Sequence, residues 1–435
     1  MRIRRLVVKN IRSFEELEWR PPEPPGGWNV ILGINGSGKS SLLRCLSLAI
    51  IGPREAFAVR QPWDKWLSRS DRNGEVLIEV IPDPDYDKFA EKGRTGKGKY
   101  LTAGVTLARE PDGTVRPEKT VGTKAPSPDR HIWGSGGGWF SAAYGPFRRF
   151  SGGDKDAERA YLSSYSLGAH ISVFGENVAL SESLLWLRDL NYSRLEGEQE
   201  EAALLTSLEL FVNQPDFLPN GVRLKGVTSK GVEFEDANGS TVPVEDLGDG
   251  YRSILSMTFE LIRQLNEYFT PERIFSPDNN KIIAPGVVMI DEVDAHLHPS
   301  WQKEVGFWLT RHFPRIQFIV TTHSPLVCHA ASSGSIFLLP PPGSEVEARF
   351  AEGAELERLL YGDILDGLST TAFGVPNTRS DEGYDLQKRL ADLNLTELRQ
   401  PLRASEKAEQ QRLRQVFPTS SSILPLKRDD SSTWS

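Results

Sequence analysis

The sequence predicts an α/β fold organised around parallel strands, and three short segments carry that prediction. Residues 33–40 read Gly-Ile-Asn-Gly-Ser-Gly-Lys-Ser, a complete G-x-x-x-x-G-K-[ST] phosphate loop. Residues 287–292, Val-Val-Met-Ile-Asp-Glu, are an apolar run ending in two carboxylates, and residues 318–323, Phe-Ile-Val-Thr-Thr-His, are a second run ending in a histidine. Fully apolar runs of this length are the pattern of strands buried on both faces of a parallel sheet, which deliver their polar ends to its carboxyl edge.

The phosphate loop follows an apolar strand, residues 28–32, and precedes a helix that begins at Ser41-Leu42-Leu43. Gly33, Gly36 and Gly38 let backbone N–H groups turn inward around an anion, and the positive end of the helix adds to the attraction. Asn35, Gly36, Ser37, Gly38 and Ser41 are thus expected around the phosphates of ATP, with Lys39 reaching the β- and γ-phosphates and the Ser40 hydroxyl serving Mg²⁺. Two adjacent acids at the end of a buried strand need cationic or catalytic work to offset their burial. Asp291 is expected in the Mg²⁺ shell, and Glu292 is placed to orient and deprotonate an attacking water.

On these residues the chain resembles, over residues 1–340, the ABC-type ATPases of the RecF, structural-maintenance-of-chromosomes and overcoming-lysogenization group. The resemblance implies an ABC-type ATPase head: a mixed or parallel phosphate-loop sheet, an antiparallel β subdomain, a helical insert and a helical C-terminal region. Residues 291–299, Asp-Glu-Val-Asp-Ala-His-Leu-His-Pro, look like that group's Walker B and D-loop, which implies that Asp294 lies at the contact between two heads. Residues 321–325, Thr-Thr-His-Ser-Pro, look like its switch segment, so His323 is expected to sense the γ-phosphate.

The same resemblance makes residues 247–253, Leu-Gly-Asp-Gly-Tyr-Arg-Ser, the signature loop, with Gly248, Asp249 and Gly250 capping the ATP held by an opposing subunit. The loop departs from the common Leu-Ser-Gly-Gly-Gln form, and Asp249 stands where a small residue is often found. Residues 3–14 read as an edge-type strand and a polar turn; residues near positions 10–13 often approach the nucleotide base in the related group, which makes Arg12 and Ser13 candidates, with a surface arginine as the alternative. Residues 139–150 resemble the segment after the antiparallel subdomain, where Arg148 and Arg149 face either phosphate or solvent.

Composition fits a single head. The 435 residues can bury a sizeable core. A formal charge of −8 gives no global attraction to nucleic acid, so any DNA contact would be local. Two cysteines, Cys45 and Cys328, exclude a disulfide framework and point to a reducing cytoplasm. No run approaches the length of a membrane span. Three of the seven histidines, His296, His298 and His323, lie near the two apolar runs, but His-x-His with distant acids is a poor zinc pattern. His298-Pro299 reads instead as a helix start.

Between the phosphate loop and the signature loop lies an insert, about residues 82–215. Val105 to Ala108 is an expected strand, residues 134–138 a flexible turn, and residues 161–210 mainly helix, with Leu184, Leu185, Trp186, Leu187 and Leu190 on one face. Residues 196–201 are an acidic run expected to face solvent. No heptad pattern lasts long enough for a coiled-coil arm. Residues 222–244 read as a hairpin region around Asn238-Gly239.

Residues 336–339 form the expected last strand, and Pro340-Pro341-Pro342-Gly343 a boundary. Residues 341–418 follow as a helical region expected to contact a partner, with a polar tail over 419–435. After Pro325 there is no Asp-x-Asp, and His329 is the only histidine after His323, so the chain shows neither a Toprim nor an HNH nuclease centre. This pattern resembles the stand-alone ATPase subunits of bacterial anti-phage systems of the Septu type. It implies an ATP-dependent homodimer or higher homo-oligomer that governs a separate effector nuclease of HNH or Toprim type. The alternative is a RecF-like clamp whose main partner is DNA; a transporter ATPase fits least.

Overall fold

Strand β1 (Arg2–Ile11) is flanked on both sides, by β2 (Phe14–Trp19) and by a later strand, so it is an inner strand and not the edge its sequence suggested. Its apolar positions Ile3, Leu6, Val8 and Ile11 are fully buried, and Gln317 closes a shift in its register by accepting from Ile3 N at 2.7 Å and donating to Ile3 O at 2.9 Å. The structure, a computed structural model, describes residues 1–59, 61–68, 72–89, 100–121, 127–134, 137–146, 165–175, 182–215, 217–229, 231–368, 370, 373 and 380–417. Two units are distinguished, Met1–Gly367 and Leu368–Ser435.

In the first unit β3 (Trp28–Leu32) leads into the phosphate loop and α1 (Lys39–Ala56). Next come β4 (Gly74–Ile81), β5 (Leu101–Arg109), β6 (Val115–Lys119) and β7 (Ser141–Tyr144). Helices α2 (Glu182–Glu196) and α3 (Gln199–Val212) follow, then β8 (Arg223–Thr228), β9 (Gly231–Glu235) and β10 (Thr241–Pro243), which form a small antiparallel sheet. Helix α4 (Asp249–Asn266), β11 (Gly286–Ile290), α5 (Pro299–His312), β12 (Ile316–Thr322), β13 (Ser335–Leu338), β14 (Arg349–Phe350) and α6 (Gly353–Tyr361) complete it.

The central sheet runs β14-β13-β3-β12-β11-β7, parallel except for β14. β3, β11 and β12 are buried at every position, which explains their unbroken apolar sequences. A second sheet, β2-β1-β4-β5-β6, is antiparallel and alternates buried with half-buried positions. Leu42, Leu43, Leu46, Ala49 and Ile50 of α1 share one core with Val287, Met289 and Ile319 of the central sheet and with Val76, Ile78, Val105 and Leu107 of the antiparallel one. The phosphate-loop helix is thus held between two sheets. Burial of each such leucine stabilises the fold by about 1.5–3 kcal/mol.

Several local expectations change. β14 pairs antiparallel with β13, so β13 is not the last strand, and residues 340–343 form a turn inside the first unit. On α2, Leu187 and Leu190 are buried but Leu185 is exposed, because the buried stripe of that helix follows Ser183, Leu187, Leu190 and Asn191. The acidic run after α2 faces solvent. Arg148 and Arg149, most of the stretch before residue 165, and the tail from residue 418 lie outside the described residues.

In the second unit, α7 (Asp381–Arg399) and α8 (Ala404–Val416) pack through Leu390, Leu393 and Leu413. Arg389–Glu409 at 3.0 Å and Arg414–Glu397 at 3.1 Å bridge the pair at its surface, where such bonds contribute little.

Candidate nucleotide site

Apolar strands end together at one edge of the central sheet because Val320 is in register with both Ile290 of β11 and Val30 of β3. The phosphate loop, the Asp291-Glu292 pair and the switch residues Thr321 to His323 therefore leave the sheet side by side. This is the position at which open parallel sheets hold ligands.

The phosphate loop makes its turn with Gly36 at φ 81° and Gly38 at φ 96°, both in the left-handed region that side chains disfavour. Gly38 also has no room for a side chain: a Cβ there would stand 2.6 Å from Phe14 Cζ and 2.8 Å from Ser13 Oγ. The turn between β1 and β2 is thereby packed onto the loop. Lys39 is buried, and its ammonium donates to Gly33 O at 2.7 Å and Ile34 O at 3.1 Å. Burial lowers its pKa, opposed by the charges of Asp291, Glu292 and Asp294. Ser37 Oγ is buried inside the turn and has no hydrogen-bond partner among the described residues. The buried Lys39 ammonium and the left-handed glycines at the start of α1 are a donor set suited to a phosphate.

Asp291 is 2% exposed and receives a hydrogen bond from Thr321 Oγ1 at 2.5 Å. Its own N–H donates to Tyr144 O at 2.8 Å, fixing it between β12 and β7. Glu292 has a left-handed backbone, φ 46°, which turns the chain back across the end of β12. Its N–H donates to Thr321 Oγ1 at 2.7 Å, and Val293 N to Thr321 O at 3.0 Å. Asp294 accepts from Thr322 Oγ1 at 2.6 Å and from His323 N at 3.4 Å. The acid implied to touch a second head therefore grips the switch segment of its own chain. His298 is the N-cap of α5, with Nδ1 accepting from Ser300 N at 3.4 Å and Pro299 in the first turn.

The His323 imidazole is pushed below its usual value by burial first and then by the Lys39 ammonium, against the pull of Asp294, Glu292 and Asp291. Lys39, the three acids and His323 thus form one electrostatic cluster. Its hard oxygen donors, the Ser40 hydroxyl and the Asp291 carboxylate, are the types that Mg²⁺ takes. Ser40 and Ser41 are partly exposed in the first turn of α1, and Asn35 is exposed.

Two further expected groups lie apart from the cluster. Arg12 has a left-handed backbone, φ 49°, and its guanidinium stacks 4.7 Å from the Trp66 ring, with Nε buried and without a hydrogen-bond partner. Burial and then Arg44 lower its pKa. At Gly38 of the phosphate loop the nearest side chains are those of Phe14 and Ser13. Gly248, Asp249 and Gly250 begin α4, where Asp249 pairs with Arg252. Among the described residues no hydrogen bond or ion pair joins these three to the phosphate loop. Phe14 and the two threonine hydroxyls were not assigned roles from sequence; a polar Thr-Thr pair closing an apolar run was the signal for the latter.

Two domain models match the chain. One, described as "AAA domain, putative AbiEii toxin, Type IV TA system", covers residues 154–328, and a second, described as "AAA domain", covers residues 5–83. Among curated proteins, the chain is similar to Septu protein PtuA of Bacillus mycoides, 34% identical over 81% of this chain and 42% of that protein. It is also similar to Retron Ec83 probable ATPase of Escherichia coli, 39% identical over 28% of this chain and 22% of that protein. The chain spans less than half the length of these relatives. Among solved structures, an Smc head bound to the C-winged helix domain of ScpA aligns with a TM-score of 0.49 at 16% identity, covering 82% of this chain and 100% of that one. Both matched models are AAA domains, and the segments they cover include the phosphate loop and the two apolar strands that end at the sheet edge.

Proposed function

We propose that the chain is an ABC-type ATPase that hydrolyses ATP at a site shared between two heads, and that its turnover controls a separate effector nuclease in anti-phage defence. The observation that carries the hydrolytic part is the single cluster of Lys39, Asp291, Glu292, Asp294 and His323 at the sheet edge. Lys39 leaves its two backbone carbonyls for the β- and γ-phosphates. Ser40 and Asp291 would hold Mg²⁺, which would supply charge to offset that of the phosphates. Glu292 takes the proton of the attacking water, and neutral His323 donates toward the γ-phosphate.

The signature loop supports the shared-site reading because Gly248 and Asp249 are exposed and, among the described residues, no hydrogen bond or ion pair ties them to their own phosphate loop. An opposing head that presents this loop to the γ-phosphate makes ATP the contact that differs between open and closed states. The defence and effector assignment rests on the similarity to the Septu protein and the retron ATPase.

Affinity capture of the chain from its native host in the presence of ATP tests the effector half of the proposal. A stoichiometric nuclease in wild-type eluates, lost with Lys39→Ala, is the expected result. Capture of DNA without a protein partner would replace this reading with the clamp reading.

A further inference from the structure

We propose that Thr321 and Thr322 are positioning residues, each holding one acid of the hydrolytic cluster in place through its hydroxyl. The inference rests on the hydrolytic reading above and adds residues to it. Both threonines are fully buried at the end of β12. A valine has the same shape and suits a buried strand as well, whereas a buried hydroxyl is unfavourable unless bonded. Each hydroxyl is bonded, and each donates to a carboxylate: Thr321 to Asp291 at 2.5 Å and Thr322 to Asp294 at 2.6 Å. Bonds of that kind are the stronger, charge-assisted class.

Neighbouring residues on a strand point to opposite faces, so a straight β11 could offer an acid to only one of them. The left-handed Glu292 solves this by folding the chain over the end of β12, so that Asp291 meets Thr321 and Asp294 meets Thr322. The two threonines then divide the labour. Thr321 takes one oxygen of Asp291 and, through the Glu292 N–H, also fixes the start of the residue that handles water. Thr322 orients Asp294, which accepts from the His323 N–H and so sets the histidine. Thr321 acts on the metal-holding acid, and Thr322 on the γ-phosphate sensor.

The test compares Thr321→Val, Thr321→Ser, Thr322→Val and Thr322→Ser in the full chain. Removing a group that orients a metal-holding acid typically costs about 10–100-fold in metal affinity or activity. Thr321→Val is expected to lose turnover within that range with little change in KM for ATP. Its Mn²⁺ affinity, read by electron paramagnetic resonance with a non-hydrolysable ATP analogue, should weaken by about 10-fold. Thr322→Val is expected to lose turnover by about 10-fold with Mn²⁺ affinity unchanged. Both serine variants, which keep the hydroxyl, should recover most of the loss.

Thr321→Val with wild-type turnover and Mn²⁺ affinity, or serine variants no better than the valines, would overturn the inference while leaving the site reading intact. A wild-type chain whose ATP turnover does not depend on Lys39 would overturn the site reading itself.

Discussion

The phosphate loop and the signature loop each open a long helix behind closely spaced glycines, yet their surroundings are opposite. Around the first, Lys39 is 6% exposed, Ser37 is 5% exposed, and a Cβ on Gly38 would strike Phe14. Around the second, Asp249 is 68% exposed, paired only across its own first turn with Arg252, and a Cβ on Gly250 would meet nothing. Helix ends of the same polarity have thus been given different tasks. On the proposed reading the enclosed end is one half of a shared site, and the outward-facing end is the half offered to a second head.

The sharpest way to break that comparison is to disable the enclosed half. Glu292→Gln should lower turnover by about 10²–10⁴-fold, the usual worth of a general base, while ATP binding persists and dimer accumulates in size-exclusion chromatography. Lys39→Ala should lower turnover by at least about 10²-fold and weaken ATP binding in isothermal titration, because one preorganised charge is removed from the phosphates. Disabling the outward half should look different. Gly250→Asp, which adds charge but meets no packing, should leave the melting temperature and ATP binding unchanged and reduce turnover by about 10²-fold.

Smaller effects test how tightly the enclosed half is built. Gly38→Ala places a side chain at φ 96° against Phe14 and should destabilise the chain by about 1–3 kcal/mol in chemical denaturation. Adding Phe14→Leu should return part of that loss.

A test of the fold away from both loops concerns acid. Burial holds His170 down to about 3 and His312 down to about 4. Above the ordinary value of 6.5 both are neutral whether folded or unfolded and contribute no pH dependence. Below it the unfolded chain binds protons that the folded chain does not, so stability should fall with falling pH by up to about 1.4 kcal/mol per unit for each histidine. Denaturation midpoints at pH 7, 6 and 5 measure the slope, and a flat profile would contradict the burial of the two imidazoles.

Legibility in the sequence followed the same division. Strands buried on both faces were readable as unbroken apolar runs, since nothing but a parallel sheet demands them at β3, β11 and β12. The phosphate loop was readable because its glycine and lysine spacing lies within eight consecutive residues, whereas the packing of Phe14 on Gly38 joins separate segments and was not. β1 was misread as an edge because its alternation reports one buried face and says nothing of hydrogen-bond partners on its two sides. The bonds of Thr321, Thr322 and Asp294 were not readable at all. They depend on a left-handed turn at Glu292, and no sequence rule places a glutamate there. Arg12 illustrates the same limit: its position in the turn was foreseeable, but its stacking on Trp66 joins segments more than fifty residues apart.

The central claim, that each site takes its enclosed half from one chain and its signature loop from another, is tested most directly by mixing two inactive variants. Lys39→Ala retains a sound signature loop, and Gly250→Asp retains a sound phosphate loop. In an equimolar mixture that exchanges freely, half the dimers are mixed and each has one intact composite site, so turnover should return to about a quarter of the wild-type rate. Turnover that stays at the level of the separate variants, with mixed dimers demonstrably present, would contradict the claim.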